Sequence, residues 1–209
     1  MNQEQEASTR KVIMTMLKTQ GPLTVNDMSK QLGITEMAIR RHLNTLERDG
    51  LLETKLVRQA MGRPTHTYSL TVAADELFPK KYQHLTLDLL EELAEMAGEE
   101  KIDQLFDRRK KRLIEKYEER MEGKPLPERV RALAEIQNAN GYMVDWGEQT
   151  DGVYVLHEHN CPIAQVALRY NHACSCELSM FQELLGAEVE RTDCLAKGGS
   201  RCTYIIRHK

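Results

Sequence analysis

Apolar residues recur at helical spacing from the first turns of the chain. Between Ser8 and Thr19 they stand at Val12, Ile13, Met16 and Leu17, and Gly21-Pro22 stops the run. Leu23-Thr24-Val25 is a short extended step. A second helix is predicted from about Asn26 to Leu32, with Met28 and Leu32 inward, and Gly33-Ile34 turns the chain tightly. Thr35 is placed to cap a third helix running to about Asp49. Ile39, Leu43 and Leu46 form its buried stripe, and Gly50 lies just past its end. Leu51–Arg58 and Thr67–Leu70 then read as strands, separated by the turn-rich Met61-Gly62-Arg63-Pro64-Thr65. Three helices followed by a two-stranded hairpin predict a winged helix-turn-helix.

Phe78–Tyr82 reads as a linker or docking corner. From Thr86 to Met121 the chain is helix-rich and charged. Leu89, Leu90, Leu93 and Met96 form an apolar stripe, broken near Gly98 and resumed by Ile102, Leu105, Phe106, Leu113 and Tyr117. Such a stripe serves as intrachain core or as a dimer face, since two-fold operators call for two-fold proteins. Arg108–Arg112 reads as a solvated helix face. Beyond Pro125 and Pro127 the pattern predicts a helix over Glu128–Asn138 and paired strands over Gly141–Trp146 and Gly152–His159. Helices follow over Ile163–Tyr170 and Cys176–Leu185, then strands over Ala187–Thr192 and Cys202–Arg207, with Gly198-Gly199 between. The fold class is α+β. A winged helix-turn-helix domain is expected over residues 1–82, a helical linker or dimerisation segment over 83–124 and an α+β sensor domain over 125–209.

A chain of 209 residues suffices for two small domains. Its net charge of −3 is unevenly spread: residues 1–82 carry +3 and residues 83–209 carry −6. A basic module on an acidic body suits a protein that presents one end to a phosphate backbone, although +3 alone decides nothing. No apolar run approaches the roughly 20 residues that span a bilayer. The polar N-terminus, MNQEQEASTRK, does not read as a signal peptide. A cytoplasmic protein with no membrane partner is expected.

On the third helix, Thr35 stands at the start, and Glu36, Met37, Arg40, Arg41 and Asn44 fall off the buried stripe. Residues near the start of a recognition helix reach base edges in the major groove. Arg40 and Arg41 each offer a guanidinium fork to guanine or phosphate, and Asn44 suits adenine or the backbone. At the hairpin tip, Arg58, Gln59, Arg63 and His66 are placed for phosphate or minor-groove contact. The alternative is that these arginines only keep the surface soluble. The agreement of element order, glycine turns and basic faces favours double-stranded DNA.

All five cysteines fall in the last fifty residues: Cys161, Cys174, Cys176, Cys194 and Cys202. Thiolates select zinc, copper(I) and iron–sulfur clusters. No pair has CxxC spacing, and long, uneven intervals put ligands on different elements. Any one of the five could pack as a small hydrophobe. No nucleophile elbow, phosphate-binding glycine loop, HExxH or dinucleotide fingerprint occurs, so no catalytic residue is assigned and an enzyme is not expected. His157-Glu158-His159 puts two histidines on one face of a strand, read here as an exposed strand edge rather than a metal site.

Thr35-Glu36-Met37-Ala38-Ile39-Arg40-Arg41-His42-Leu43, with Leu46-Glu47-Arg48-Asp49-Gly50-Leu51, resembles the recognition helix of DeoR/ArsR-like bacterial regulators. Gly62–Thr71 resembles the wing of one branch of them. With its cysteine-bearing C-terminus, the whole chain resembles the SufR family of iron–sulfur-sensing repressors of cluster-assembly operons. The resemblance implies a homodimer that holds an operator through a cysteine-ligated cluster of the 4Fe-4S kind. Cys161 and Cys174 match the first interval of the family's cysteine pattern. Glu188 stands where the next cysteine belongs, and Cys202 falls one residue short of the last position. The resemblance therefore carries over Cys161, Cys174 and Cys202 as ligands. Cys194 is the first choice for the fourth, because Thr192–Cys202 is expected to turn back at Gly198-Gly199. Cys176, His157, His159, His172, a carboxylate and an exogenous thiol remain alternatives. Competing readings are a structural zinc, a thiol-redox switch, or a small-molecule pocket in the C-terminal domain.

Overall fold

The structure is a computed structural model describing residues 3–58, 63–150 and 152–209, with side chains considered from Ser8 onward. Gln59, Met61 and Gly62 of the hairpin tip lie outside the described residues. The chain divides into two compact units, Met1–Lys80 and Lys81–Lys209.

In the first unit, α1 (Gln3–Gln20) is followed by β1 (Leu23–Thr24), α2 (Val25–Leu32) and α3 (Glu36–Arg48). The hairpin β2 (Leu52–Val57) and β3 (Thr65–Leu70) and the short α4 (Val72–Asp75) complete it. Thr24 starts α2 with a capping box: the Asp27 amide donates to Thr24 Oγ1 at 3.2 Å, and the Thr24 amide to Asp27 Oδ2 at 3.0 Å. Gly33 ends α2 at φ 66°, a left-handed conformation open to glycine, and its amide donates to the Ser29 carbonyl at 2.9 Å. Thr35 caps α3 by accepting from the Ala38 amide at 3.3 Å. Ile13, Met28, Ile39, Leu43 and Leu46 close the core against Leu52 and Tyr68. The sheet order is β1-β3-β2, all antiparallel, with Val57 opposite Thr65. That pair starts β3 two residues before the pattern of the sequence does. This unit is a winged helix-turn-helix.

The second unit opens with α5 (Tyr82–Ala97) and α6 (Glu99–Tyr117), then α7 (Leu126–Ala139). β4 (Val144–Thr150), β5 (Val153–Glu158), α8 (Ala164–Arg169), α9 (His172–Leu185), β6 (Glu188–Asp193) and β7 (Cys202–Arg207) follow. The four strands form an antiparallel sheet in the order β4-β5-β7-β6. Tyr154, Leu156 and Glu158 on β5, Cys202, Tyr204 and Ile206 on β7, and Val189 on β6 are all buried. Phe181 of α9 packs on Tyr204 with ring centroids 4.8 Å apart, and Val130 and Leu133 of α7 join the same core.

Four features differ from the sequence reading. Residues 83–124 pack within the second unit, because α6 lies along α9 and α5 touches α8. The apolar stripe of α5 splits into two faces. Leu87, Leu90, Leu93 and Ala94 pack toward Ile102, Val166 and Tyr170, whereas Tyr82, Leu85, Leu89 and Met96 are exposed. α9 begins at His172, four residues earlier than its apolar pattern indicates, which puts Cys174 and Cys176 inside the helix. β5 lies between β4 and β7, so His157-Glu158-His159 is not a strand edge. Among the described residues, no helix is long and apolar enough to cross a membrane.

Candidate functional site

In the first unit, packing of Ile39, Leu43 and Leu46 leaves the opposite face of α3 to solvent. Thr35, Glu36, Met37, Arg40, Arg41 and Asn44 all lie on it, with Met37 76% exposed. Arg40 Nη2 reaches Glu36 Oε2 at 3.5 Å, one turn earlier. An exposed pair of this kind is worth little, so the guanidinium is readily given up to a stronger acceptor. His42, on the same helix, is buried instead. Arg58 follows β2, Arg63 precedes β3, and His66 is its second residue; all three are exposed. Thr54 Oγ1 donates to Glu47 Oε1 at 2.7 Å, fastening the end of α3 to β2.

In the second unit, four thiols come from four segments. Cys161 lies between β5 and α8, Cys174 in the first turn of α9, Cys194 just after β6, and Cys202 at the start of β7. Cys161, Cys174 and Cys202 each lie close enough to Cys194 to be influenced by it electrostatically. Cys174, Cys194 and Cys202 are buried and Cys161 is half-buried; none is in a disulfide. A turn over Leu195–Lys197 folds the β6–β7 connection back. There the Leu195 amide donates to Cys202 Sγ at 3.4 Å and the Gly199 amide to the Cys194 carbonyl at 3.0 Å. A Cβ at Gly199 would stand 2.9 Å from the Cys194 carbonyl oxygen as well as against the Asp193 carboxylate, so this turn favours glycine.

Burial pushes the Cys174 and Cys202 thiols up to about 12, with the Cys194 charge adding in each case. Burial also raises Cys161, against a backbone hydrogen bond from Ile163. These three groups therefore rest as neutral thiols at neutral pH, and a metal must displace their protons.

Beside the sulfurs stands a pair of inward carboxyls that the sequence reading missed. Gln137 Nε2 donates to Glu158 Oε1 at 2.7 Å. Tyr204 Oη bridges to Glu177 Oε2 at 2.9 Å and Glu158 Oε2 at 3.4 Å. Burial, then the Glu177 charge, pushes Glu158 up to about 9, and burial raises Glu177 as well. Two buried carboxyls held on one tyrosine hydroxyl repel one another when charged, which favours a proton on Glu158. Arg191 Nη1 donates to the Cys174 carbonyl at 2.8 Å and sets a positive charge beside both groups. Strict alternation from Tyr154 through Leu156 already points Glu158 inward, and that was the available signal.

The remaining candidates lie elsewhere. His157 Nδ1 is 3.1 Å from Thr203 Oγ1, and His159 Nε2 pairs with Asp145. Cys176 and His172 face α6, where Cys176 Sγ donates to Asp107 Oδ1 at 3.5 Å.

Residues 7–54 match the family described as bacterial regulatory protein, arsR family. Among solved structures, the chain is similar to a MarR family regulator from Neisseria meningitidis at 17% identity and a TM-score of 0.28, covering 63% of this chain and 76% of that one. It is also similar to PadR of Bacillus subtilis in complex with operator DNA, at 15% identity and a TM-score of 0.30, covering 85% of this chain and 96% of that one. No curated protein matches.

The carboxyl pair gives the apoprotein a defined pH response. Glu158 has an ordinary value of 4.5, raised in the fold to about 9. The folded state thus holds a proton that the unfolded chain releases. The stabilisation is complete below the unfolded value and is lost as pH rises through the folded one. Thermal melts at pH 5, 7 and 9 should show the wild-type midpoint falling across the series, and Glu158→Gln should flatten that fall. Parallel curves for the two proteins would contradict a protonated Glu158.

Proposed function

With an arsR-type helix-turn-helix regulator domain in its first unit, we propose that this protein is a transcriptional repressor whose operator affinity is set by an iron–sulfur cluster. Cys161, Cys174, Cys194 and Cys202 would hold the cluster. The observation that supports the reading is that four free thiols, from four separate segments, share one neighbourhood, three of them within electrostatic reach of Cys194.

A set of thiol donors drawn from separate segments suits an iron–sulfur cluster, which is held by cysteine thiolates. Raised thiols are poor nucleophiles at neutral pH, which weighs against a simple disulfide switch. When bound, the cluster would supply iron–thiolate bonds that cross-link the β5–α8 connection, the first turn of α9 and the facing ends of β6 and β7. Arg191 would offset thiolate charge, and the buried carboxyls would hold their proton beside it. Cys161, the most exposed of the four, would mark the side of access.

On the DNA side, Arg40, Arg41 and Asn44 of α3 would read base edges, with Thr35, Glu36 and Met37 at the helix start. Arg58, Arg63 and His66 of the wing would hold phosphate. A second copy of the chain would complete a two-fold reader, and the exposed face Tyr82, Leu85, Leu89 and Met96 of α5 offers it an apolar seam.

Two predictions follow from these assignments. Protein purified without oxygen should show broad visible absorption near ~400 nm, with iron and sulfide in comparable amounts. Cys161→Ser, Cys174→Ser, Cys194→Ser and Cys202→Ser should each lose most of it, and Cys176→Ser should keep it. A colourless protein that stays colourless after reconstitution with iron and sulfide would refute the cluster. On duplexes selected from a random pool, Arg40→Ala or Arg41→Ala should cost about 1–3 kcal/mol and relax sequence preference, whereas Arg63→Ala should weaken all duplexes and lower the salt slope by about 1. Fluorescence anisotropy over a salt series reads both effects.

A further inference from the structure

A third group of donors stands apart from the DNA-facing helix and from the four gathered thiols. Where α6 packs on α9, Asp107 meets His172 and Cys176, and one donor atom from each lies within 4.8 Å of the other two. His172 Nε2 is 3.3 Å from Asp107 Oδ2, and Cys176 Sγ is 3.5 Å from Asp107 Oδ1. His172 and Cys176 are four residues apart on one helix, so they leave the same face a turn apart. Asp103, one turn before Asp107 on α6, adds a negative charge toward the same thiol.

A second observation singles this cluster out. His172 Nε2 is sealed from solvent yet makes no hydrogen bond; its approach to Asp107 is close enough for an ion pair but poorly directed. Buried polar atoms without a partner are few in folded proteins, and each costs stability. With the ring proton on Nδ1, Nε2 offers a lone pair into the space between the carboxylate and the thiol.

We propose that Asp107, His172 and Cys176 form a zinc site that fastens α6 to α9. Thiolate, imidazole and carboxylate are the three ligand types zinc takes, and three protein donors leave a fourth position for water or Asp103. Tetrahedral bonds of about 2.0–2.3 Å set donors about 3.3–3.8 Å apart, and here one donor atom from each of the three residues lies within 4.8 Å of the other two, so small side-chain shifts close the site. Calcium and magnesium require oxygen donors and do not suit the thiol and imidazole. Binding breaks the Cys176 S–H bond, forms a zinc–sulfur bond and releases one proton to solvent, with no change of oxidation state. Lys110 Nζ, 3.3 Å from Asp107 Oδ1, swings away as the metal replaces its charge. The three donors meet where α6 packs on α9, whereas the four thiols come from the β5–α8 connection, the first turn of α9 and the ends of β6 and β7. α9 carries both Cys174 and Cys176, so metal here would bear on the helix that supplies a cluster ligand.

The test is a titration of the full-length apoprotein without oxygen, first with Co(II) as a chromophore and then with Zn(II) against a competing chelator. The site predicts a thiolate-to-cobalt absorption that falls by one equivalent in Cys176→Ser and in His172→Ala. Zinc affinity of that equivalent should drop by more than about 100-fold, the upper end of the loss seen when even an outer-sphere partner is removed. His172→Gln, which keeps a good helix former, gives the same reading should His172→Ala fail to fold. Zn(II) should raise the melting midpoint of the wild type more than that of His172→Gln. Equal stoichiometry and affinity in the wild type, His172→Gln and Cys176→Ser would overturn the proposal. So would cobalt binding whose thiolate absorption persists in full in Cys176→Ser.

Discussion

The pairing of β5 with β7 is the constraint on which the second unit depends. Leu156 stands opposite Tyr204 and Glu158 opposite Cys202, so each pair shares one face of the sheet. Because side chains alternate, a slip of one residue would turn His157 and Thr203 inward and expel Glu158 and Tyr204. The register is held by the apolar part of that face, where Phe181, Leu184 and Ile206 close over Leu156 and Tyr204. It therefore delivers a carboxyl and a sulfur together to the end of the sheet. A carboxyl so placed survives only through partners and protonation, and Gln137, Tyr204 and Glu177 supply them.

Much of the first unit was legible because its signals are local. Thr35 caps, Gly33 turns, and Ile39, Leu43 and Leu46 repeat within one helix; each is visible in a window of a dozen residues. The second unit was legible in the order of its strands and helices and less so in their ends and faces. Asn171 makes no side-chain cap, and Ala173-Cys174-Ser175 carries little amphipathic pattern, so α9 begins before the sequence announces it. The apolar residues of α5 looked like one stripe because leucines stand side by side at 89 and 90, whereas packing uses only one of each such pair. What sits beside what across the chain is absent from any local pattern. Asp107 meets residues more than sixty positions away, and Cys161 acts with Cys194 through an intervening helix pair.

The thiols and the exposed face of α3 belong to different compact units, so the proposed regulation needs a free energy linking the two. Under the proposed function, ligation at four segments would supply it. On that reading, cross-linking the β5–α8 connection, α9 and the ends of β6 and β7 would make the second unit stiffer, and loss of the cluster would loosen the same elements. That loosening includes α9, against which α6 packs, and α6 in turn packs on α5 with its exposed apolar face. A dimer built on that face would feel the change as altered geometry between its two DNA-facing helices. The physical requirement is differential affinity: the cluster must favour the DNA-binding arrangement over the other.

The most direct test of that link is the affinity of one preparation for one selected duplex, measured at fixed salt before and after anaerobic removal of the cluster. Coupling of the usual size predicts weakening by about 5–150-fold on cluster loss, with recovery on reconstitution. Equal affinity in the two states would contradict the account, since a group with no differential effect on binding cannot regulate it.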